Sequence, residues 1–144
     1  MTDPFTLQRF VDAQSRIYAA ALDELRRGRK ETHWMWFVFP QLAGLGHSPM
    51  AQRYSISGLP EARAYLAHSI LGPRLIDCTE TVNGITGRSA LDIFSSPDDM
   101  KFRSSMTLFS KASAAGNVFD QALELYFAGE MDRRTLDLLG QPSA

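Results

Sequence analysis

At 144 residues, 44% hydrophobic and 22% charged, the chain is long enough to bury a core as one domain and too apolar to stay disordered. A net charge of −1 argues against the global attraction that nucleic-acid binders show, and the longest apolar run, residues 34–39, falls far short of the ~20 residues a membrane span needs. The single cysteine, Cys78, excludes an internal disulfide, and the Met-Thr-Asp-Pro start lacks the basic and apolar regions of a signal peptide, so a cytoplasmic protein is expected.

The punctuation reads as a succession of helices. Asp3-Pro4 pairs an N-cap with a first-turn proline. Behind it Phe10, Gln14, Ile17, Tyr18, Ala21, Leu22 and Leu25 keep helical spacing up to Gly28, a C′ residue. The run His33-Trp34-Met35-Trp36-Phe37-Val38-Phe39-Pro40-Gln41 holds both tryptophans of the chain. With Thr32 as N-cap and Pro40 as terminator it reads as a short helix, because no second strand-like run exists to pair with it. So dense an aromatic segment is either the centre of a core or the wall of a pocket.

Gly44, Gly46, Ser48 and Pro49 mark a loop before a short turn of helix from Met50 to Tyr54. Pro60 opens a helix through Ala67, and Ser69 is the expected cap of the next, which runs to Asn83-Gly84. Ser89 caps residues 90–94. Ser96-Pro97-Asp98-Asp99 starts a longer helix carrying Phe102, Met106 and Phe109 and ending at Ala115-Gly116. Asn117 and Asp132 cap the last two helices, which end at Gly129 and Leu139, and residues 141–144 are expected as a frayed tail. The predicted fold is all-α, a compact bundle of about six to eight mostly short helices in one domain spanning 1–144.

No residue set specifies a reaction. His33, His47 and His68 lack the spacing of zinc ligands and Cys78 sits near none of them, so no metal site and no cofactor are expected. There is no G-x-S-x-G elbow; Lys101 and Ser105, at i and i+4, are either a Ser–Lys dyad or a hydrogen-bonded surface pair. Gly44-Leu45-Gly46 lacks the third glycine and preceding strand of a dinucleotide loop, whereas Ser48-Pro49 starts a turn whose free N–H groups suit an anion. Arg26, Arg27, Arg29 and Lys30 form the one local basic cluster, read as a solvated helix end.

Several blocks together carry a family resemblance: Asp3-Pro4-Phe5 with Arg9-Phe10 and Ala13-Gln14; His33-Trp34-Met35-Trp36-Phe37 with Pro40-Gln41; and Gly44-Leu45-Gly46 with Ser48. Glu61-Ala62-Arg63-Ala64-Tyr65-Leu66, Leu71-Gly72-Pro73-Arg74-Leu75, and Lys101 with Ser104-Ser105-Met106-Thr107-Leu108-Phe109 complete the set. Over nearly its whole length the chain resembles the bacterial domain-of-unknown-function family numbered 1810, sometimes labelled "calpastatin". The resemblance implies a mainly helical domain and supplies no catalytic residue. Calpastatin inhibitory regions are disordered until bound, unlike a chain that can bury a core. Ser69 stands where the family is expected to carry proline.

The leading functional expectation is a pocket for a small ligand or peptide beside the tryptophans. His33, Gln41, Lys101 and Ser105 would line it, and Trp34 or Trp36 would supply an apolar wall. Two other classes stay open: a protein-interaction module without a pocket, and an enzyme of unassigned reaction. The partner is thus a small molecule or a protein, with no membrane and no nucleic acid expected and no indication of oligomeric state.

Overall fold

A computed structural model describes residues 3–140, and the expected tail at 141–144 lies outside them. The described residues form a compact helical array with no strands. In chain order the helices are α1 (Gln8–Gln14), α2 (Tyr18–Arg26), α3 (Met35–Val38), α4 (Pro49–Arg53), α5 (Leu59–Ala67), α6 (Leu71–Asn83), α7 (Ala90–Phe94), α8 (Asp98–Lys111), α9 (Val118–Phe127) and α10 (Arg133–Leu139). Ten helices exceed the six to eight expected.

One added element comes from the first helix, which breaks at Ser15–Ile17 instead of running from Pro4 to Gly28. Next to the break, buried Gln14 donates to the Phe37 carbonyl at 2.6 Å and to the Tyr65 hydroxyl at 3.1 Å. Periodicity cannot see such a side chain tying two helices together, and it continues the stripe across the break. Asp3 is not the N-cap of α1, which falls on Leu7 without a side-chain cap; its carboxylate instead accepts from the N–H groups of Leu7 and Gln8 across the preceding turn, and the helix starts later than Pro4 implied. Gly28, at φ 77°, closes α2: its own N–H bonds to the Leu25 carbonyl and that of Arg29 to Glu24.

Three N-caps are those the sequence marks: Ser89, Asn117 and Asp132 each accept the N–H three residues on, and Ser89 with Asp92 makes a reciprocal capping box. Ser48, read as loop, also caps, and α4 starts at Pro49 instead of Met50. Three differ. The α6 start is held by His68, whose Nδ1 accepts from the N–H groups of Ile70 and Leu71, and Ser69 makes no cap. Thr32 does not cap α3; it turns back to bond Glu24. At α8 the cap position is Pro97, and Ser96 has no capping bond.

The α8 helix is the hub of the core. It packs against α5, α7, α9 and α10, while α6 packs against α2, α5 and α9. All residues from Ser104 to Ser110 are buried. Two of its hydroxyls accommodate this by bonding back into their own helix, Ser104 to Met100 at 3.1 Å and Thr107 to Arg103 at 2.9 Å, and Ser110 donates across to Asp120 of α9. Phe102 stacks on Phe94 at 4.6 Å between ring centroids and meets Phe39 edge-on at 5.1 Å. Phe109 continues the aromatic core toward Tyr65 and Phe119.

Candidate functional site

The first turn of α8 is where the aromatic run, the 41–48 loop and the start of α10 converge. The loop is pinned by an isolated parallel bridge between Leu42 and Ile56, with Ala43 N–H on the Ile56 carbonyl at 2.8 Å and Ile56 N–H on the Gln41 carbonyl at 2.9 Å. Backbone bonds therefore hold Gln41 in place. The cap of Asp132 sets the start of α10, and its own N–H donates to the Thr107 hydroxyl of α8 at 2.8 Å.

Two depressions that share Pro97 lie at this convergence. The first, about 360 Å³, is lined by Gln41, Gly46, His47 and Ser48 of the loop, by Met100, Lys101 and Ser104 of α8, and by Asp132 and Arg134. The second, about 320 Å³, is lined by Lys30, His33, Met35, Trp36 and the Phe94–Asp98 segment. Lys101 links them: its Nζ lies 5.3 Å from the Trp36 ring centroid and 3.5 Å from Asp98 Oδ1.

Asp98 is shared. Lys30, nearly buried, pairs with its Oδ2 at 2.9 Å, donates to the Thr32 carbonyl and stands 5.1 Å from the Trp34 ring centroid. Each tryptophan thus carries a lysine on its face, and both lysines meet one carboxylate. Below them Glu24 is buried and takes four hydrogen bonds, from the N–H groups of Glu31 and Thr32, the Thr32 hydroxyl and the Trp34 indole. Burial alone would raise its pKa. The donors from Thr32, Glu31 and Trp34 outweigh that and hold the carboxyl at about 2.

The six sequence-predicted site residues divide accordingly. Gln41 and Lys101 line the first depression, His33 and Trp36 the second, with the Lys101–Trp36 contact between them. Trp34 lines neither: it is fully buried with its indole N–H on Glu24 at 3.0 Å, and of the two tryptophans it is Trp36 that lines a depression. Ser105 lines neither as well. Helical phase put it on the Lys101 stripe at the edge of the core, but α8 is covered on all sides from Ser104 onward, and one turn beyond Lys101 that stripe is interior. Ser105 Oγ has no hydrogen-bond partner among the described residues, so it pairs with Lys101 neither as a dyad nor as a surface contact.

Ser104, one position earlier, reaches the depression instead. Arg134 and Asp132 went unseen because only tertiary packing brings α10 to α8. Lys30, which closes the basic cluster and also flanks the tryptophan run, pairs inward with Asp98 instead of being solvated and lines the second depression. The Ser48 signal does fall on the site, though its Oγ is engaged with its own helix at Ala51.

Among the described residues no three His, Cys, Asp or Glu side chains cluster as metal ligands, and no Ser, Thr or Cys side chain is hydrogen-bonded to a histidine. Cys78 is interior, its thiol pushed up to about 12 chiefly by burial. No described helix is long and apolar enough to cross a membrane.

No curated protein matches the chain. Among solved structures it is similar to the crystal structure of Rv1873, a conserved hypothetical protein from Mycobacterium tuberculosis, at 56% identity and a TM-score of 0.95, covering 97% of this chain and all of that one. The family model described as "Protein of unknown function (DUF1810)" matches residues 4–139, nearly the whole chain. The chain therefore belongs to the DUF1810 family.

Proposed function

We propose that this protein is a single-domain, cytoplasmic small-ligand-binding protein whose site is the pair of depressions flanking Lys101. The observation that carries this reading is Lys101 itself. Its ammonium lies over the face of Trp36, mostly shielded from solvent, yet makes no hydrogen bond among the described residues. A lysine held at the junction of two concave surfaces, with its donors unspent and an aromatic wall beneath, is arranged to orient a ligand. Volumes of about 360 and 320 Å³ suit a small molecule rather than a folded partner. The large exposed apolar side chains, among them Ile76, Leu91, Leu125 and Leu138, come from different helices, which gives an interaction module less support.

The test is a thermal-shift screen against a panel of metabolites. A ligand present at about 100 times its Kd stabilises the folded state by about 2.7 kcal/mol. Binding at this site should also alter Trp36 fluorescence, with Trp34 sealed in the core as an internal reference. A panel in which no compound moves either signal at millimolar concentration would end this reading.

A further inference from the structure

We propose that the ligand is an oxyanion-bearing small molecule, a phosphate ester or a carboxylate, whose anionic group is held between Lys101 and Arg134. This rests on the binding reading above and names the chemistry of the same site. The evidence is an imbalance between donors and acceptors in the first depression.

Lys101 has three N–H donors and spends none on a hydrogen bond among the described residues; its one charged neighbour is Asp98 at 3.5 Å. That carboxylate is more tightly engaged by Lys30, at 2.9 Å, so Lys101 holds the weaker half of a shared charge. Arg134 makes no ion pair among the described residues, and its single hydrogen bond is a long one, 3.4 Å to the Gly44 carbonyl. The His47 ring and the Gln41 amide add polar groups with no side-chain partner among the described residues. On the acceptor side the lining offers one carboxylate, Asp132, whose Oδ2 already receives the Thr135 N–H and hydroxyl at the start of α10.

Two cations that make no close hydrogen bond to a carboxylate among the described residues therefore stand beside two carboxylates already engaged elsewhere, Asp98 by Lys30 and Asp132 by Thr135. Charge-assisted donors at a concave, partly desolvated surface favour an oxyanion over a neutral group of the same shape. Met100, Leu45 and Ala51 give the rest of such a molecule an apolar bed, and Trp36, beneath the Lys101 ammonium, borders it from the second depression.

The experiment follows the two indole N–H resonances by NMR, Trp36 as probe and Trp34 as reference, while inorganic phosphate, benzoate and benzyl alcohol are titrated separately at constant ionic strength. Benzoate and phosphate are expected to shift Trp36 and leave Trp34 in place, and the neutral alcohol to need about tenfold more, the factor expected when a charge-assisted bond is lost. Tighter binding of phosphate marks a phosphate ester as the natural class; tighter binding of benzoate marks a carboxylate. Lys101→Met and Arg134→Gln, both changes at the cleft surface, are each expected to weaken the anions about tenfold and leave benzyl alcohol unchanged. Equal binding of benzyl alcohol and benzoate, with both variants indifferent, would overturn the anion assignment and leave the ligand site standing. Shifts reproduced by sodium chloride alone would overturn it as mere screening. No shift of Trp36 with any of the three would overturn the anion and the site together.

Discussion

Replacing Glu24 with Gln tests the floor of the site and the packing of the tryptophan segment at once. In the native protein Oε1 accepts three N–H donors, from Glu31, Thr32 and Trp34, at 2.7, 2.9 and 3.0 Å, and Oε2 accepts the Thr32 hydroxyl at 2.6 Å. Glutamine keeps the volume and one carbonyl oxygen for the three N–H groups, and the Thr32 hydroxyl can rotate to accept from the amide. What disappears is the charge. The native carboxyl is lowered from its ordinary 4.5 to about 2. The difference corresponds to about 3 kcal/mol of stability near neutral pH. A folded pKa below the unfolded one means that this stability is complete above about pH 5 and is lost as pH falls through the folded value near 2. Urea unfolding near neutral pH should therefore show Glu24→Gln less stable by about 2–3 kcal/mol, with an unchanged m-value. The gap should narrow steadily as the pH is lowered from about 5 toward 3. A gap of the same size at every pH would refute the electrostatic reasoning and leave shape as the cause. Glu24→Ala should cost more at all pH values, because it leaves the buried indole N–H and two backbone N–H groups without acceptors.

The two tryptophans should behave differently when truncated. Trp34→Ala opens a cavity in the core and is expected to cost about 3–5 kcal/mol by chemical denaturation, whereas Trp36→Ala, at a half-buried wall, should cost clearly less. Equal losses would place Trp36 in the core and remove the wall from the site. Cys78, fully buried with its thiol raised to about 12, should resist a thiol reagent in the native protein and react at once in denaturant; rapid native labelling would show that the α2–α6 packing opens. Gly72→Ala sets a methyl group 2.1 Å from the Leu66 carbonyl where α5 meets α6, and this overpacking should cost about 1–3 kcal/mol, read as a lowered urea midpoint. A variant as stable as the parent would mean that this junction yields easily.

The helical character of the chain, the boundaries of most helices and the central place of the tryptophan run were legible in the sequence because they are local. Ser89, Asn117 and Asp132 cap with side chains three residues from their targets, and Gly28 ends α2 through its own φ. Interactions between distant segments were not legible. Buried Gln14 marks a break that the apolar stripe runs straight across, and His68 caps α6 with a ring nitrogen that no capping pattern includes. The candidate site divides along the same line. Aromatic density singled out Trp34 and Trp36, and only packing decided that Trp34 is sealed onto Glu24 while Trp36 lies beneath Lys101. Ser105 shares the helical phase of Lys101 and is nonetheless interior, because α5, α7, α9 and α10 close around α8 one turn further along. Arg134 reaches the cleft from the far end of the chain. Phase and capping depend on neighbours three or four residues away and are written in the sequence; which side of a helix stays open depends on what packs against it, and that is settled only when the whole chain has folded.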